Sequence, residues 1–475
     1  MKKIQLYIGA VLLSAIVGCT GDFKEVVDFT EVTNPTLSEE SVVGQPNSAV
    51  IWAAGIEREI SRTFNEILIL AELGSDNYEN TQTFFSQFLD GLDIRTTDPD
   101  IRDTQNEIAR VAKMAQFGLE TVGPNDPNYS PAQEAEFHYY LGLSRMLSAM
   151  YFSALPQETV GVPVVSAENY QSAIQSFQTA VSISAKPEYH LAIARSNYYL
   201  GNKSAAVSAA NAALALSTDF TREAKFDEAE GPSNAMEDAL YERATFDDFQ
   251  PLPSLDFLDP KYSFLSPEQD ASVHYLKAEE AYLILAEANL SDGNVAAAQA
   301  NLNDLLDLVA TREVRVIDDR AEQRSEVDPG GRPDNSGVVV NGRSGLVLDR
   351  QDGVVAVPSI SGTSLTTAEI AAFANDDESL SKLYRTRQEI FIAEGIRFVD
   401  MGVKLVINEN EILQNENVNE GDFGTVAVIP SFIASIIPDL DAFTYDAGAG
   451  VATTTVDLND VLVANKTSEA VVPFY

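Results

Sequence analysis

Apolar residues recur at helical spacing through most of the middle of the chain. Residues 134–153 contain no proline, and Phe137, Leu141 and Leu147 fall on one face of a helix drawn through them. Apolar positions three or four residues apart are typical of a helix with one buried face. The same pattern predicts helices over 170–183, 188–200, 204–216, 273–290 and 296–309. The chain is therefore predicted to be mainly α.

Small residues in these helices repeat with a period of 33 residues, close to the 34 residues of a tetratricopeptide repeat. Gly201 and Gly293 stand between successive helices, where a turn needs a residue that tolerates positive φ. We expect tetratricopeptide-like helix pairs at about 134–216 and 273–309. Generic alanine-rich helices packed on one another are the alternative. The recurring positions are Ala173 with Ala206 and Ala180 with Ala213.

The other segments have a different composition. Residues 219–272 interleave five prolines with acidic and aromatic residues, and 318–365 are rich in Gly, Asp and Arg around a β-like run at 338–340. From Asn417 onward, β-branched residues increase and Pro430 and Pro438 interrupt any helix. The predicted architecture is thus helix pairs that support long irregular loops with a few short strands.

Charge and cysteine content exclude several functions. The 475 residues carry 31 basic and 72 acidic side chains, a net charge of −41, which repels the phosphates of nucleic acids. One cysteine allows no intramolecular disulfide, and three scattered histidines do not form a zinc motif. We expect no cofactor and no nucleic-acid partner, while a structural metal ion remains open.

The single cysteine belongs to an N-terminal targeting segment. Lys2 and Lys3 precede an apolar run over 4–17 that is too short to span a bilayer, and Cys19 follows directly. This resembles a bacterial lipobox, in which the chain is cut before the cysteine and acyl chains are attached to it. We expect a signal peptide over 1–18 and a lipid-anchored tether over 19–45.

Three further segments together resemble the SusD/RagB outer-membrane nutrient-binding lipoproteins. The first, over 72–77, reads Glu-Leu-Gly-Ser-Asp-Asn. The second, over 280–303, contains Glu-Ala-Tyr-Leu-Ile-Leu-Ala-Glu-Ala, then Gly-Asn and Leu-Asn. The third, over 385–400, reads Arg-Thr-Arg-Gln-Glu-Ile-Phe-Ile-Ala-Glu-Gly-Ile-Arg-Phe-Val-Asp. The resemblance implies one α-helical domain over 46–475.

What the resemblance implies is capture without catalysis. Such a protein is anchored on the outer face of the outer membrane, binds an oligosaccharide or peptide, and delivers it to a TonB-dependent, SusC-like transporter. The loop after Ser75 concentrates aromatic rings, which stack on sugars, and amides, which bond hydroxyls. Phe84 and Phe85 could instead be core residues, whereas Tyr78 is expected to be exposed. The candidate ligand-binding residues are Asp76, Asn77, Tyr78, Asn80, Phe84 and Phe85.

Two charged segments are predicted to be structural. On a continuous helix, Arg385 would pair with Glu389 and Glu394 with Arg397, which favours an ion network over catalysis. Seven arginines within 312–350 could hold an anionic glycan, but eight acidic residues in the same stretch favour self-neutralisation.

Two other classes of function remain. A tetratricopeptide lipoprotein could be a scaffold that binds a partner's peptide in its helical groove. A surface glycoside hydrolase would need two carboxylates at a fixed separation, and nothing in the sequence selects such a pair.

Overall fold

The computed structural model describes nine stretches of the chain. The predicted signal peptide, Cys19, nearly all of the tether, Phe84 and Phe85 lie outside them. The described stretches are residues 43–80, 87–242, 249–261, 270–318, 339–340, 354–446, 448–449, 451–470 and 474–475.

Helices form most of the described structure, as the sequence predicts. In the part of the chain that the structure describes, no helix is long and apolar enough to cross a membrane. Among the described residues, the α-helices of four or more residues are α1 Ser48–Leu73, α2 Pro99–Phe117, α3 Pro131–Tyr151, α4 Ser166–Ile183, α5 Pro187–Tyr199, α6 Lys203–Leu216, α7 Ala278–Ser291, α8 Val295–Val309, α9 Thr367–Ala371, α10 Asp377–Ile390, α11 Ile396–Asp400, α12 Glu409–Gln414, α13 Ser431–Ala434 and α14 Leu458–Ala464.

Consecutive helices pack as pairs: α3 on α4, α5 on α6, and α7 on α8. Gly201 lies at the turn between α5 and α6, and Gly293 lies at the turn between α7 and α8. Their φ angles are 73° and 74°, the positive φ for which glycine was expected there. The four alanines that repeat after 33 residues are all fully buried, so neighbouring helices approach closely at these positions. The predicted helix pairs are confirmed.

Local sequence fixes where several helices begin. Ser130 forms a capping box with Gln133 ahead of α3, and the Asp98 side chain accepts from the backbone N–H of Asp100 at the start of α2. Pro187 occupies the first position of α5, where the missing N–H removes no helical hydrogen bond.

Within the described stretches, short strands form five small sheets. The pairs β1–β5, β2–β3, β4–β6, β7–β9 and β10–β11 are antiparallel, and β8 joins β11 in parallel. The strands are β1 Tyr78–Asn80, β2 Ala154–Pro156, β3 Pro163–Val165, β4 Thr221–Ala224, β5 Phe249–Pro251, β6 Val273–Lys277, β7 Val314–Asp318, β8 Val339–Val340, β9 Val354–Pro358, β10 Phe443–Asp446 and β11 Val451–Thr454.

One predicted helix begins later than its pattern suggests. The segment 273–277 is β6, and α7 begins only at Ala278. The run Val-His-Tyr-Leu-Lys is rich in β-forming residues and finds a partner in β4, with Thr221 opposite Lys277. The spacing of apolar residues within 273–290 cannot predict that β6 pairs with β4, because the partner strand lies some 50 residues earlier in the chain.

The third motif segment is not one continuous helix. The structure ends α10 at Ile390, and Ala393 and Gly395 then adopt φ angles of 58° and 72° before α11 begins. Left-handed residues cannot continue a right-handed helix. The predicted pair Glu394–Arg397 therefore does not form, and these two side chains pair with Lys277 and Asp76 instead. Arg385 and Glu389 both lie within α10 but do not pair with each other, because each has a partner on another element.

Candidate functional site

The three segments that carry the family resemblance meet in one buried polar network. It joins the end of α1, the first turns of α7, and the region from α10 to α11. Among the described residues, five ion pairs of this network are almost completely shielded from solvent. They are Arg397–Asp76, Arg387–Asp400, Arg387–Glu280, Arg195–Glu280 and Lys277–Glu394.

Arg397 and Asp76 anchor the first motif to the third. The Arg397 Nη2 donates to Asp76 Oδ2 at 2.8 Å, and Arg397 Nη1 donates to Asn459 Oδ1 at 2.9 Å. Gln388 Nε2 donates to Asn77 Oδ1 at 3.0 Å, and Asn77 in turn donates to Glu72 Oε2 at 2.8 Å. The loop after α1 is thus held by side chains more than 300 positions further along the chain.

The remaining motif charges find partners on other elements rather than on their own helix. Arg385 pairs with Asp457 at the start of α14. Glu389 accepts hydrogen bonds from Ser364 and Thr363. Lys277 Nζ donates to Glu394 Oε1 at 2.7 Å. The network expected from the sequence exists, but its pairing is tertiary.

Glu287 is the most strongly perturbed acid of this region. Burial raises the pKa of Glu287 to about 7, although hydrogen bonds from Tyr198 and Tyr384 oppose the shift. The Tyr198 hydroxyl donates to Glu287 Oε2 at 2.6 Å. The carboxyl lies between helices and lines none of the clefts described below, so its shift reflects packing.

The predicted ligand-binding residues fall into three groups. Asp76, Asn77 and Tyr78 are buried, and the Tyr78 ring packs against Phe249 with centroids 5.5 Å apart. The expectation that Tyr78 is an exposed loop ring is wrong. Tyr78 belongs to β1, which pairs with β5, and its side chain is buried. Asn80 ends β1 and is half-buried. Phe84 and Phe85 lie outside the described residues.

A polar cleft of about 180 Å³ opens beside this segment, and we name it the Asp76 cleft. Its walls come from the first motif, the segment after β5, helix α10, and the chain from β11 to α14. Hydroxyl, amide, carboxylate and guanidinium groups alternate along it, which suits the hydroxyls of a sugar. The residues that line it are Asp76, Leu252, Ser254, Leu255, Arg385, Gln388, Thr453, Thr454, Val456, Asp457, Leu458 and Asn459.

Both carboxylates of the Asp76 cleft are held in ion pairs. Burial alone would raise the pKa of Asp457, but the Arg385 guanidinium and the backbone N–H of Asn459 hold that pKa below its ordinary value. Asp76 is paired with Arg397. The half-exposed Asp457 therefore presents acceptor oxygens to the cleft, whereas the buried Asp76 supports its wall.

Sequence reasoning did not find most of the cleft. Ser254, Thr453 and Thr454 belong to loops and strands without a recognisable motif, and Arg385 was recognised only as a network charge. They lie together because β5 pairs with β1 and because α14 packs against α10. No local signal in the chain could have identified them.

Among the described residues, no group of three or more His, Cys, Asp or Glu side chains could hold a metal ion. In the arginine-rich segment, Arg312 forms a bidentate pair with Glu279, with Nε–Oε1 2.7 Å and Nη2–Oε2 2.8 Å. Arg320, Arg324, Arg332, Arg343 and Arg350 lie outside the described residues.

Solved structures share this architecture. A SusD superfamily protein from Bacteroides fragilis aligns with a TM-score of 0.53 at 13% identity, over 79% of this chain and 99% of its own. A putative sugar binding protein from Bacteroides vulgatus aligns with a TM-score of 0.53 at 14% identity, over 79% and 98%. A SusD-like protein from Bacteroides fragilis gives 0.51 at 12%, over 84% and 99%.

The chain therefore has the SusD-like fold, as the three sequence segments indicate. No protein-family model matches the sequence, and no curated protein matches it either. At identities of 12–14% the structural likeness establishes the fold. What the chain binds must be argued from its own residues.

Proposed function

We propose that this protein is a surface lipoprotein that captures an oligosaccharide and delivers it to a TonB-dependent, SusC-like transporter. The observation that carries the proposal is the Asp76 cleft, which lies in a SusD-like fold beside the loop that the sequence selects. One of the structural neighbours is a putative sugar binding protein, which also supports a sugar ligand. Lipid attachment at Cys19, in the outer membrane and facing outside, completes the proposal.

The residues of the cleft support binding rather than hydrolysis. A glycosidase needs a protonated carboxylic acid beside a second carboxylate. In this cleft Asp76 and Asp457 are each paired with an arginine, and the Arg385 guanidinium holds the pKa of Asp457 below its ordinary value, which favours its ionised form. We therefore propose that the protein is not an enzyme.

The predicted residues are assigned different tasks within this proposal. Asp76, Asn77 and Tyr78 position the segment from within, because their side chains are enclosed. Ligand contact is assigned to the half-buried groups of the cleft, Arg385 and Ser254, and to Asn80, Phe84 and Phe85 as predicted from the sequence.

Calorimetric titration with a panel of neutral oligosaccharides and short peptides tests the proposal. Arg385→Gln should weaken oligosaccharide binding roughly tenfold, because hydrogen bonds from a charged donor contribute about 1.5–3 kcal/mol. Lys382→Gln, one turn earlier on α10 and paired only with the exposed Glu378, is the matched control. Equal affinities of the two variants would contradict the assignment of the cleft.

A second pair of variants separates capture from the scaffold function. A groove of about 600 Å³ beside α1 and β4 is lined by charged side chains, among them Glu57 and Lys225. If the protein is a peptide scaffold, Glu57→Gln should reduce peptide binding while Arg385→Gln has no effect.

Tyr78→Ala should destabilise the fold by about 3–5 kcal/mol, as expected for truncating a buried ring.

A further inference from the structure

A second cleft, of about 350 Å³, lies on another part of the molecule, and we name it the Arg145 cleft. It is bounded by α2, α3, the loop between β2 and β3, and the end of α12. It shares no lining residue with the Asp76 cleft. Nothing in the proposed function above uses it.

Arg145 distinguishes this cleft electrostatically. Its guanidinium is half-buried, and its Nη1 donates to Ser176 Oγ at 3.2 Å. In the described stretches, no carboxylate lies within 4.0 Å of it, whereas the buried Arg195, Arg387 and Arg397 each contact one. Burial lowers the pKa of Arg145, but a guanidinium remains charged at any physiological pH. A chain of net charge −41 thus keeps a positive group unpaired here.

The Glu158 carboxylate acts on Arg145 through space without contacting it, and the other charged groups of the cleft have partners of their own. Lys113 pairs with Glu158 across the mouth, and Arg110 pairs with Glu59 and Glu107. Glu411 accepts hydrogen bonds from Asn415 and Gln105. Of the three cations that line the cleft, Arg110 and Lys113 are thus paired with carboxylates, and Arg145 is the one that forms no ion pair with a described residue.

The uncharged lining suits a sugar. Amide side chains surround Arg145 and offer both donors and acceptors for hydroxyls. Leu141, Leu155 and Val160 supply apolar surface against which the face of a ring can pack. The amides are Gln105, Asn106, Gln116, Gln157, Asn169, Gln414 and Asn415.

We propose that the Arg145 cleft is a binding site for an acidic sugar, a uronate unit whose carboxylate is held by the Arg145 guanidinium. Planar guanidinium and carboxylate groups form two parallel hydrogen bonds, and a partly buried site strengthens them. The amides then bond the ring hydroxyls. This site is independent of the Asp76 cleft, so either proposal can fail without the other.

Titration with glucuronate, digalacturonate and glucose tests the site, because glucuronate and glucose differ only at the carboxylate. We expect saturable binding of the two uronates, weaker as ionic strength rises, and at least about tenfold weaker binding of glucose. Arg145→Gln should remove this preference. Arg62→Gln, an arginine outside the cleft, should keep it, as should Arg385→Gln in the Asp76 cleft.

A second variant covers the case in which Arg145→Gln fails to fold. Gln414→Glu adds a negative charge on an exposed side chain at the cleft and removes no buried contact. It should weaken uronate binding severalfold while thermal unfolding stays unchanged. Equal affinity for glucose and glucuronate, absence of saturable uronate binding, or preference for the C-terminal carboxylate of a short peptide would overturn the proposal.

Discussion

Single side chains in this protein derive their properties from partners far along the chain. Asp76 was selected from the sequence as a ligand-binding residue, and it lines the cleft, but its oxygens already accept hydrogen bonds from Arg397 and Gln388. Because Asp76 and Arg397 are both buried, removing either one would leave an unpaired charge in the interior and destabilise the folded protein.

Arg397→Met tests how much stability is lost when this pair is broken. Removing the guanidinium leaves the buried Asp76 carboxylate without its charge partner, so we expect a loss of about 3–5 kcal/mol in the free energy of unfolding. Lys382→Met breaks an exposed pair with Glu378 on α10 and should cost no more than about 0.5 kcal/mol. Urea unfolding of both variants measures the difference. Similar losses would show that the buried pair has no special role.

The raised pKa of Glu287 makes stability depend on pH. The carboxyl has an ordinary pKa of 4.5 and a folded pKa of about 7. Between these values the unfolded chain releases the proton while the folded protein keeps it, so stability falls as pH rises through this window. Glu287→Gln should flatten that dependence, by up to about 3 kcal/mol in total.

The control for this prediction is Asp307→Asn, which removes an exposed carboxyl from α8. Unfolding by urea at several pH values measures each slope. If Glu287→Gln and Asp307→Asn have the same slope as the unsubstituted protein, Glu287 does not titrate in this range.

A few residues with positive φ angles determine how successive helices are oriented in this fold. The break between α10 and α11 turns the chain so that Arg387 and Arg397 reach Asp400 and Asp76, respectively. At the break, the Gly395 N–H donates to Glu72 Oε1 at 2.8 Å. The junction thus connects the third motif directly to the first.

Gly395→Ala is expected to disrupt this junction. A Cβ at Gly395 would lie 3.0 Å from the Tyr151 hydroxyl and 3.3 Å from Ala71 Cβ, in addition to the strain of a φ of 72°. We expect a loss of about 2–4 kcal/mol, from roughly 1–2 for the left-handed backbone and 1–3 for crowding. Thermal or urea unfolding measures it.

Gly421→Ala is the matched control. Its φ is also positive, at 88°, but a Cβ there would meet nothing within 4 Å. It should show the backbone cost alone, roughly 1–2 kcal/mol. A larger loss at Gly421 than at Gly395 would contradict the role assigned to the junction.

At the scale of the whole molecule, the helix pairs, the buried network and the two clefts are separate features. The pairs formed by α3–α8 create much of the hydrophobic core. The network attaches the end of α1 and the region from α10 to α11 to that core, and the Asp76 cleft opens beside it, whereas the Arg145 cleft lies elsewhere. Binding variants in the clefts are therefore expected to leave stability nearly unchanged.

The lipid anchor is a whole-molecule prediction from the sequence. Cys19→Ala should release the protein from the membrane fraction, because the acyl chains are the anchor that the sequence provides. Cell fractionation with immunodetection measures this. Recovery of the variant in the outer membrane would contradict lipidation at Cys19. Cys19 is the only cysteine, so Ser14→Ala in the apolar run is the control that keeps it.

The sequence by itself determined the helix pairs, their turns at Gly201 and Gly293, and the fold that three motifs indicate. The helix pairs and their turns depend on residues within a turn or two of each other, where periodicity and capping act, whereas the fold was indicated by the resemblance to a known family. Only the tertiary structure decided that 273–277 forms a strand, that Tyr78 is buried, and which acid each arginine contacts. Those outcomes depend on partners up to 321 positions away, and desolvation forces each buried charge to find one. The clefts arise in the same way, since their walls come from segments that only the packed fold brings together.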